Sequence, residues 1–509
     1  IASLELDATP LDPETANSIE TVVDTFAAHP DVPASFVVPS TLARRMAASA
    51  DGESGSGSPG TDDDDGSEPD SGGDGAATTT STGPASGETT TSNPDDDSPD
   101  DGLVARFRAV LAGDHRELLA GTFVEIDPTQ LTAAGLTSEV ARQHELGFRY
   151  LAGILEAPEA GTWLVRQRLD ARTIDALADL GVDELLVPTT SVDQPDSSLP
   201  ARARGASSRS RVTALDPTMA TGGNTDPALA AQLLFGQAIA RAAISDGAPQ
   251  IITVPMPESV EDVAELDSLL ALLDEHDGFV APRPVTDLLQ TSPTDPDPVP
   301  LTPPQIGSLG SYPADLLATR TIVDAYASMT RDRPDLAANL SEQLSRSATR
   351  GLTNSQRGEI VDGVRDEVEA QFAGVSIPRS DRVTLGARDA QFPLVISSSS
   401  NVPLRVIVDL ASASDRLTVK NETVEVLLDS DRTVVPVQVH SRSPGDTPVH
   451  ITVKTLDGQV ILSEGTYSIR STAVSGVGLL LTVGAGLFLA LWWGRHFFRS
   501  RRTKARHAR

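Results

Sequence analysis

Four carboxylates sit where an α/β enzyme would keep its catalytic groups. Glu125 and Asp127 lie two residues apart in TFVEIDP. The apolar run Thr122–Ile126 reads as a strand, which would turn both side chains to one face. Glu156 and Glu159 follow a second apolar run, Tyr150–Leu155, also read as a strand. A glycoside hydrolase needs two carboxyl groups about 5–10 Å apart across the scissile bond, one of them protonated. Glu125 with Glu156 or Asp127 would be that pair. Each residue also has a plainer role. Asp127 precedes Pro128, and that dipeptide opens helices, the carboxylate capping free amides and the proline taking the first helical position. Asp216 before Pro217 reads the same way. Glu125 reads equally as solvated or ion-paired, and Glu156 and Glu159 as solubilising groups in an Ala-Pro loop. His144, within the helical stretch Glu139–Leu146, is expected at solvent rather than on a metal. Trp163 in GTWLV is expected in the core rather than against a sugar ring.

Other chemistries are excluded by residue type. The chain has no cysteine, so it has neither disulfides nor thiolate metal sites. No nucleophile elbow, phosphate-binding loop or zincin motif occurs, and TGGNTDP at 221–227 lacks the lysine of a phosphate loop. No cofactor is expected. The net charge of −32 over 509 residues argues against a nucleic-acid partner, which demands a basic footprint.

The elements that would position these groups change character along the chain. Over residues 1–300, apolar runs alternate with helical patterns. Ser35–Val38, Thr122–Ile126, Tyr150–Leu155, Glu184–Val187, Arg211–Leu215 and Gln250–Val254 read as strands, and Asp170–Leu180 and Pro227–Ile244 as helices. This is the pattern of βαβ units in a parallel sheet or barrel. Asp-Pro recurs at helix starts, at Asp12, Asp127, Asp216 and Asp226. Residues 51–102 interrupt the domain with fifteen acidic side chains and no basic one; this insertion is expected to be disordered. Residues 301–378 turn helical, with Ile360, Val364, Val368 and Phe372 on one face, and are expected as a connector packing on the α/β body. Residues 379–470 switch to period two in VPLRVIVDL and VVPVQVH, which predicts an immunoglobulin-like β-sandwich. The fold class expected is therefore multidomain, α/β plus β: a (β/α) barrel-like domain over 1–300 carrying the disordered insertion, a helical connector, an immunoglobulin-like sandwich and one C-terminal transmembrane helix.

The C-terminal end carries a membrane signal. From Ser471 to Gly494 no residue is charged, and no acidic residue occurs from there to the end. That length of helix, about 36 Å, spans a bilayer core of about 30 Å. The expected span is 471–497. Trp492 and Trp493 sit where rings prefer the headgroup layer, and Arg495 begins a basic cluster that continues through the tail 498–509. The positive-inside rule keeps that tail in the cytoplasm and the body outside. Gly478, Thr482, Gly486 and Ala490 recur every four residues and would let a second helix approach. A body outside the cell needs an export signal, which is expected upstream of Ile1.

Two resemblances follow. The segment from ISSSSNVPLRVIVDL to STAVSGVGLLLTVGAGLFLALWWGRHFFR resembles an uncharacterised actinobacterial family of single-span envelope proteins. Its members are typically encoded beside the flippase-like protein of peptidoglycan precursor export. The resemblance implies an exported body, a membrane-proximal β-domain, and an envelope glycan or a flippase as partner. The segment GTWLVRQRLDARTIDALADLGVDELLVPTTS resembles carbohydrate deacetylase and glycoside hydrolase barrels. Those deacetylases bind a metal through an Asp-Asp pair and His-x-x-x-His, and neither motif is present, so this resemblance implies a fold without a catalytic set. A non-catalytic envelope protein is the expected function, with an active glycoside hydrolase or carbohydrate esterase as the alternative.

Overall fold

The computed structural model describes residues 10–53, 102–193, 201–205, 207–215, 226–244, 263–275, 280–291, 298–378, 382–472 and 476–504. The acidic insertion expected at 51–102 lies outside them except at its two ends. The strand expected at Gln250–Val254 and the Asp216 cap lie outside them entirely. The chain divides into two compact units, Ile1–Ser308 and Leu309–Arg509.

Among the described residues the first unit is built on seven strands: β1 (Ala34–Val37), β2 (Arg116–Ala120), β3 (Glu159–Leu164), β4 (Glu184–Pro188), β5 (Ala201–Arg204), β6 (Arg209–Leu215) and β7 (Pro298–Val299). They form one sheet in the order β1-β2-β3-β4-β6-β5-β7. Every neighbouring pair is parallel except the β5–β6 hairpin. Parallel strands need long crossovers, and helices supply them. These are α1 (Pro13–Ala28), α2 (Ser40–Glu53), α3 (Leu103–Leu111), α4 (Pro128–Ala133), α5 (Thr137–Ile154), α6 (Ala171–Asp179), α7 (Pro227–Ile244), α8 (Val263–Glu275) and α9 (Val285–Thr291). The mixed α/β architecture follows the expected alternation, and β1, β4, β6, α6 and α7 fall where the sequence placed them. The Asp-Pro starts act as expected. Asp12 accepts from the Thr15 amide, Asp127 from Thr129 and Gln130, and Asp226 from Ala228. One core joins α1, α2, α3 and α8 to the first strands, with Phe36 edge-on to both Phe26 and Phe107 at 4.9 and 5.4 Å.

Two expected strands are not strands. Thr122–Ile126 is a loop after β2, although Phe123, Val124 and Ile126 are buried. Its amides are satisfied by α5 instead of a ladder: Phe123 N–H donates to the Gln143 carbonyl and Val124 N–H to Gln143 Oε1. Gly147 permits that approach, since a Cβ there would stand 2.3 Å from the Gly121 carbonyl oxygen. Tyr150–Leu155 is the end of α5 and its cap. Short apolar runs fit either period, and here Val140, Gly147, Leu151 and Leu155 continue a helical stripe.

A polar layer crosses the sheet. In-register neighbours place Ser35 beside Glu117, and Glu184 between Thr162 and Arg211. Glu184 is 5 % exposed; it accepts from Thr162 Oγ1 at 2.9 Å and from Arg211 Nη2 at 2.6 Å. Arg211 also donates to the Leu289 carbonyl of α9. At the other end of the layer the amides of Val285 and Thr286 donate to Ser35 Oγ and Glu117 Oε1. α9 is thus docked at both ends by side chains of the sheet. Removing one member of a buried pair leaves a charge without a counterpart. Glu184→Ala should lower the stability of this unit by about 2–4 kcal/mol, below the full value for a buried pair because Arg211 retains part of its hydration. Denaturant unfolding, followed by Trp163 fluorescence with Trp492 and Trp493 replaced by Phe, reads this directly. Replacing Glu184 by Met together with Arg211 by Leu should restore most of the loss. A loss below about 0.5 kcal/mol, the range of a surface pair, would show that the layer does not hold the sheet.

The second unit begins with three helices, α10 (Tyr312–Met329), α11 (Pro334–Arg346) and α12 (Asn354–Ala373). Val364, Val368 and Phe372 are buried as expected, with Val361 rather than Ile360 completing the stripe. These helices fall in the same compact unit as the β-domain. Asp332, after α10, pairs with Arg405 at 3.1 Å, and the Asp457 amide donates to Ser328 Oγ. The β-domain has nine strands: β8 (Val375–Ser376), β9 (Val383–Leu385), β10 (Asp389–Ser398), β11 (Leu404–Ser412), β12 (Leu417–Val419), β13 (Thr423–Leu428), β14 (Arg432–Ser441), β15 (Gly445–Thr455) and β16 (Ile461–Ser471). They form two sheets, β12-β14-β10-β8 and β13-β11-β15-β16-β9. Alternate residues fill the core between them: Leu404, Val406, Val408 and Leu410 from one sheet, Val435, Val437 and Val439 from the other.

The last element among the described residues is α13 (Gly476–Lys504), a helix of 29 residues that starts five positions after β16 ends. Among the described residues no helix is long and apolar enough to cross a membrane. The side chains described on α13 run from 480 to 496, about 26 Å of helix. Within that stretch the apolar residues are exposed on every side, from Val483 at 53 % to Leu480 at 75 %.

Candidate functional site

In open α/β sheets ligands gather outside the carboxyl ends of the strands, and three segments meet there beyond β2 and β3. Loop 121–127 leaves β2 and runs into α4. Residues 165–170 leave β3, and Thr129 Oγ1 donates to the Arg168 carbonyl. The segment after β7 returns alongside, with Gln130 Nε2 donating to the Gly307 carbonyl. An open, mostly apolar pocket of about 440 Å³ lies at this junction, lined by Leu169, Asp170, Arg204, Val299, Leu301 and Pro303 among others. Its one carboxylate, Asp170, is occupied: Oδ1 accepts from the Thr173 amide at 2.8 Å and from its hydroxyl at 2.6 Å, capping α6. The exposed Arg204 supplies the positive group. The chemistry of this pocket is apolar packing beside one guanidinium, which suits holding a ligand more than breaking a bond.

The structure does not assemble the expected carboxylate pair. Glu125 is exposed in the loop beyond the carboxyl end of β2. Asp127, two residues on, is held by the two amides it caps, so the pair shares no strand face. Glu156 follows α5 and precedes β3, which places it at the opposite, amino end of a strand parallel to β2. From Gly147, which touches loop 121–123, the helix carries the chain about 10 Å further before it ends at Ile154. Burial raises the Glu156 carboxyl above its ordinary value, the direction a general acid requires. Its partner across a bond is nevertheless on the wrong side of the sheet. Glu159 opens β3 and is exposed. No group of three or more His, Asp or Glu side chains suited to a metal occurs among the described residues.

Trp163 is 5 % exposed and lies in the core, as expected. His144 is not at solvent. It is 9 % exposed, its ring centroid stands 5.9 Å from that of Trp163, and its Nε2 has no hydrogen-bond partner among the described residues. The reason is the α5 face: Val140, Gln143, His144, Gly147 and Leu151 are all buried, and a polar pair in the middle of that stripe disguised it. Burial lowers the imidazole below its ordinary value. The functional-looking residues that sequence reading missed are Glu117 and Glu184, charges inside the apolar runs RELLA and ELLVP. A charge in an otherwise apolar strand was the signal available.

Two measurements follow from this geometry. Asp127→Ala should cost about 1 kcal/mol and Asp127→Asn only a few tenths, because asparagine still caps; equal losses would contradict a capping role. For His144, the unfolded chain takes up a proton below about pH 6.5 that the buried ring refuses, so stability should fall as pH drops through that value. His144→Phe should flatten this part of the profile relative to the parent chain. An unchanged slope between about pH 7.5 and 5.5 would show that the ring is not buried in solution.

No curated protein matches this chain. Among solved structures it is similar to the α-amylase AmyC of Thermotoga maritima, at 10% identity over 53% of this chain and 70% of that one, with a TM-score of 0.39. It is similar to a 4-α-glucanotransferase of Thermococcus litoralis at 8% identity over 87% and 85% of the two chains, with a TM-score of 0.41. An α-mannosidase of Enterococcus faecalis V583 gives 9% identity over 91% of this chain and 54% of that one, with a TM-score of 0.41. The match that assigns the chain is to a sequence family, and it covers residues 127–503, from the Asp127 cap through α13. The protein belongs to the family of unknown function DUF6049.

Proposed function

We propose that this protein is a membrane-anchored envelope protein, its body outside the cell and its C-terminal tail in the cytoplasm. In this reading it assists cell-wall or surface-glycan assembly by binding a glycan or a membrane partner, without breaking bonds. The observation that carries it is the surface of α13. Leu480, Leu481, Leu487, Phe488, Leu491 and Trp493 are all more than half exposed, and no charge interrupts residues 471–494. A helix that is apolar all round needs an apolar solvent. Arg495 and the six cations after it favour retention of the tail inside. The nine-stranded domain, an immunoglobulin-like sandwich in this reading, then stands next to the bilayer. A binding role suits the strand-end pocket, whose carboxylate is spent on a helix cap. The face bearing Gly478, Thr482, Gly486 and Ala490 would admit a helix of a partner such as an actinobacterial cell-wall-precursor flippase.

The lack of native cysteine makes the topology directly testable. In intact bacteria expressing the chain behind an export signal, Asp429→Cys should react with a membrane-impermeant maleimide. Arg506→Cys should react only after permeabilisation. The chain should stay with the membrane through carbonate washing. Labelling at position 506 in intact cells would refute the orientation, and release by carbonate would refute the anchor.

A further inference from the structure

The two ends of the β-sandwich differ in charge. One end is defined by the carboxyl ends of β14 and β16 and the amino ends of β10 and β15. The registers Asp389↔His440, Leu417↔Ser441 and Gly445↔Ser471 bring these together. Backbone bonds tie the loops there: Ser441 N–H donates to the Arg388 carbonyl, Arg442 N–H to that of Arg416, and Thr472 N–H to that of Leu385. The Arg416 guanidinium reaches to 3.7 Å from where a Cβ on Gly445 would stand, so the two sheets share this surface. Arg388, Arg416, Arg442 and Arg470 are all exposed here, and none forms an ion pair among the described residues. The local acids are largely spoken for: Asp446 is 3.6 Å from Arg382, and Asp389 is held by His440 and Lys420. Asp415 is the remaining acid at this end among the described residues. The other end of the sandwich carries Asp429, Asp431 and Asp457 in its turns, all exposed. In a chain of net charge −32, four unneutralised arginines at one end are a departure that composition does not explain.

That basic end is the one from which the chain enters α13. Ser471 and Gly476 are five residues apart, at most about 18 Å of chain. We propose that Arg388, Arg416, Arg442 and Arg470 form a headgroup-binding surface that seats the sandwich on the bilayer through the phosphates of anionic phospholipids. The proposal rests on the reading of α13 as a membrane span. Guanidinium is the side chain suited to it, because its planar fork of donors matches phosphate oxygens in pairs. Within a Debye length of an anionic surface, each arginine adds to the attraction. A single helix leaves its domain free to tilt, and four contacts around the exit point remove that freedom.

The test uses the full chain with Ser443→Cys, in the β14–β15 turn, carrying an environment-sensitive fluorophore. The chain is reconstituted into vesicles of phosphatidylcholine alone or with about 30 mol % phosphatidylglycerol, each containing a headgroup quencher. Quenching at position 443 should rise about twofold with the anionic lipid and fall back near 0.5 M salt, where the screening length shrinks to about 4 Å. Replacing all four arginines by Gln should abolish the rise, and each of the pairs Arg388 with Arg442 and Arg416 with Arg470 should remove about half of it. Asp429→Asn, at the far end, should leave it unchanged. Inorganic phosphate at matched ionic strength should not compete; full competition would identify a soluble-phosphate site and overturn the lipid assignment. A chain that resists carbonate extraction yet shows no lipid dependence overturns the arginine surface alone. One that carbonate releases overturns the span, and the surface with it.

Discussion

A charge buried in a β-sheet must be met within the sheet or by whatever covers it, and in the first unit that requirement sets the arrangement of a whole layer. Glu184 accepts from β3 and β6 at once, while Glu117 accepts from β1 and from the amino end of α9. A slip of one residue in any of these strands would turn a carboxylate from this layer to the other face of the sheet. The short strands, some with only four or five residues, have limited apolar area with which to specify register. The polar layer provides the discrimination that area does not.

What the sequence made legible divides along physical lines. The β-sandwich was readable because each strand has one dry and one wet face, so Leu404 to Leu410 and Val435 to Val439 print the alternation directly. The helix starts were readable because Asp and Pro act locally, on their own backbone. The parallel sheet was only partly readable. Strands such as β2 and β4 are buried on both faces, and a short apolar run such as YLAGIL fits the end of a helix equally well. Loop 121–127 shows the other failure. It is as apolar as a strand, yet its amides go to Gln143, a partner that only the packing of α5 against Gly121 through Gly147 supplies.

The candidate site shows the same division. Asp127 was correctly weighed as a cap because capping depends on two adjacent residues. The pairing of Glu125 with Glu156 depended on strand positions; with 122–126 a loop, 150–155 the end of a helix and β3 starting only at Glu159, the two carboxylates lie at opposite ends of the sheet. The match to DUF6049 extends from the α/β unit through α13.

The path of the chain through the sandwich has a mechanical consequence. It enters through β8, which pairs with Ser397 and Ser398 at the acidic end, and leaves through β16 at the basic end. Tension along that line pulls β16 lengthwise between β15 on one side and β9 on the other. The ladder bonds are then loaded together in shear rather than opened one after another. The domain is therefore arranged to resist tension along that line as a unit rather than strand by strand.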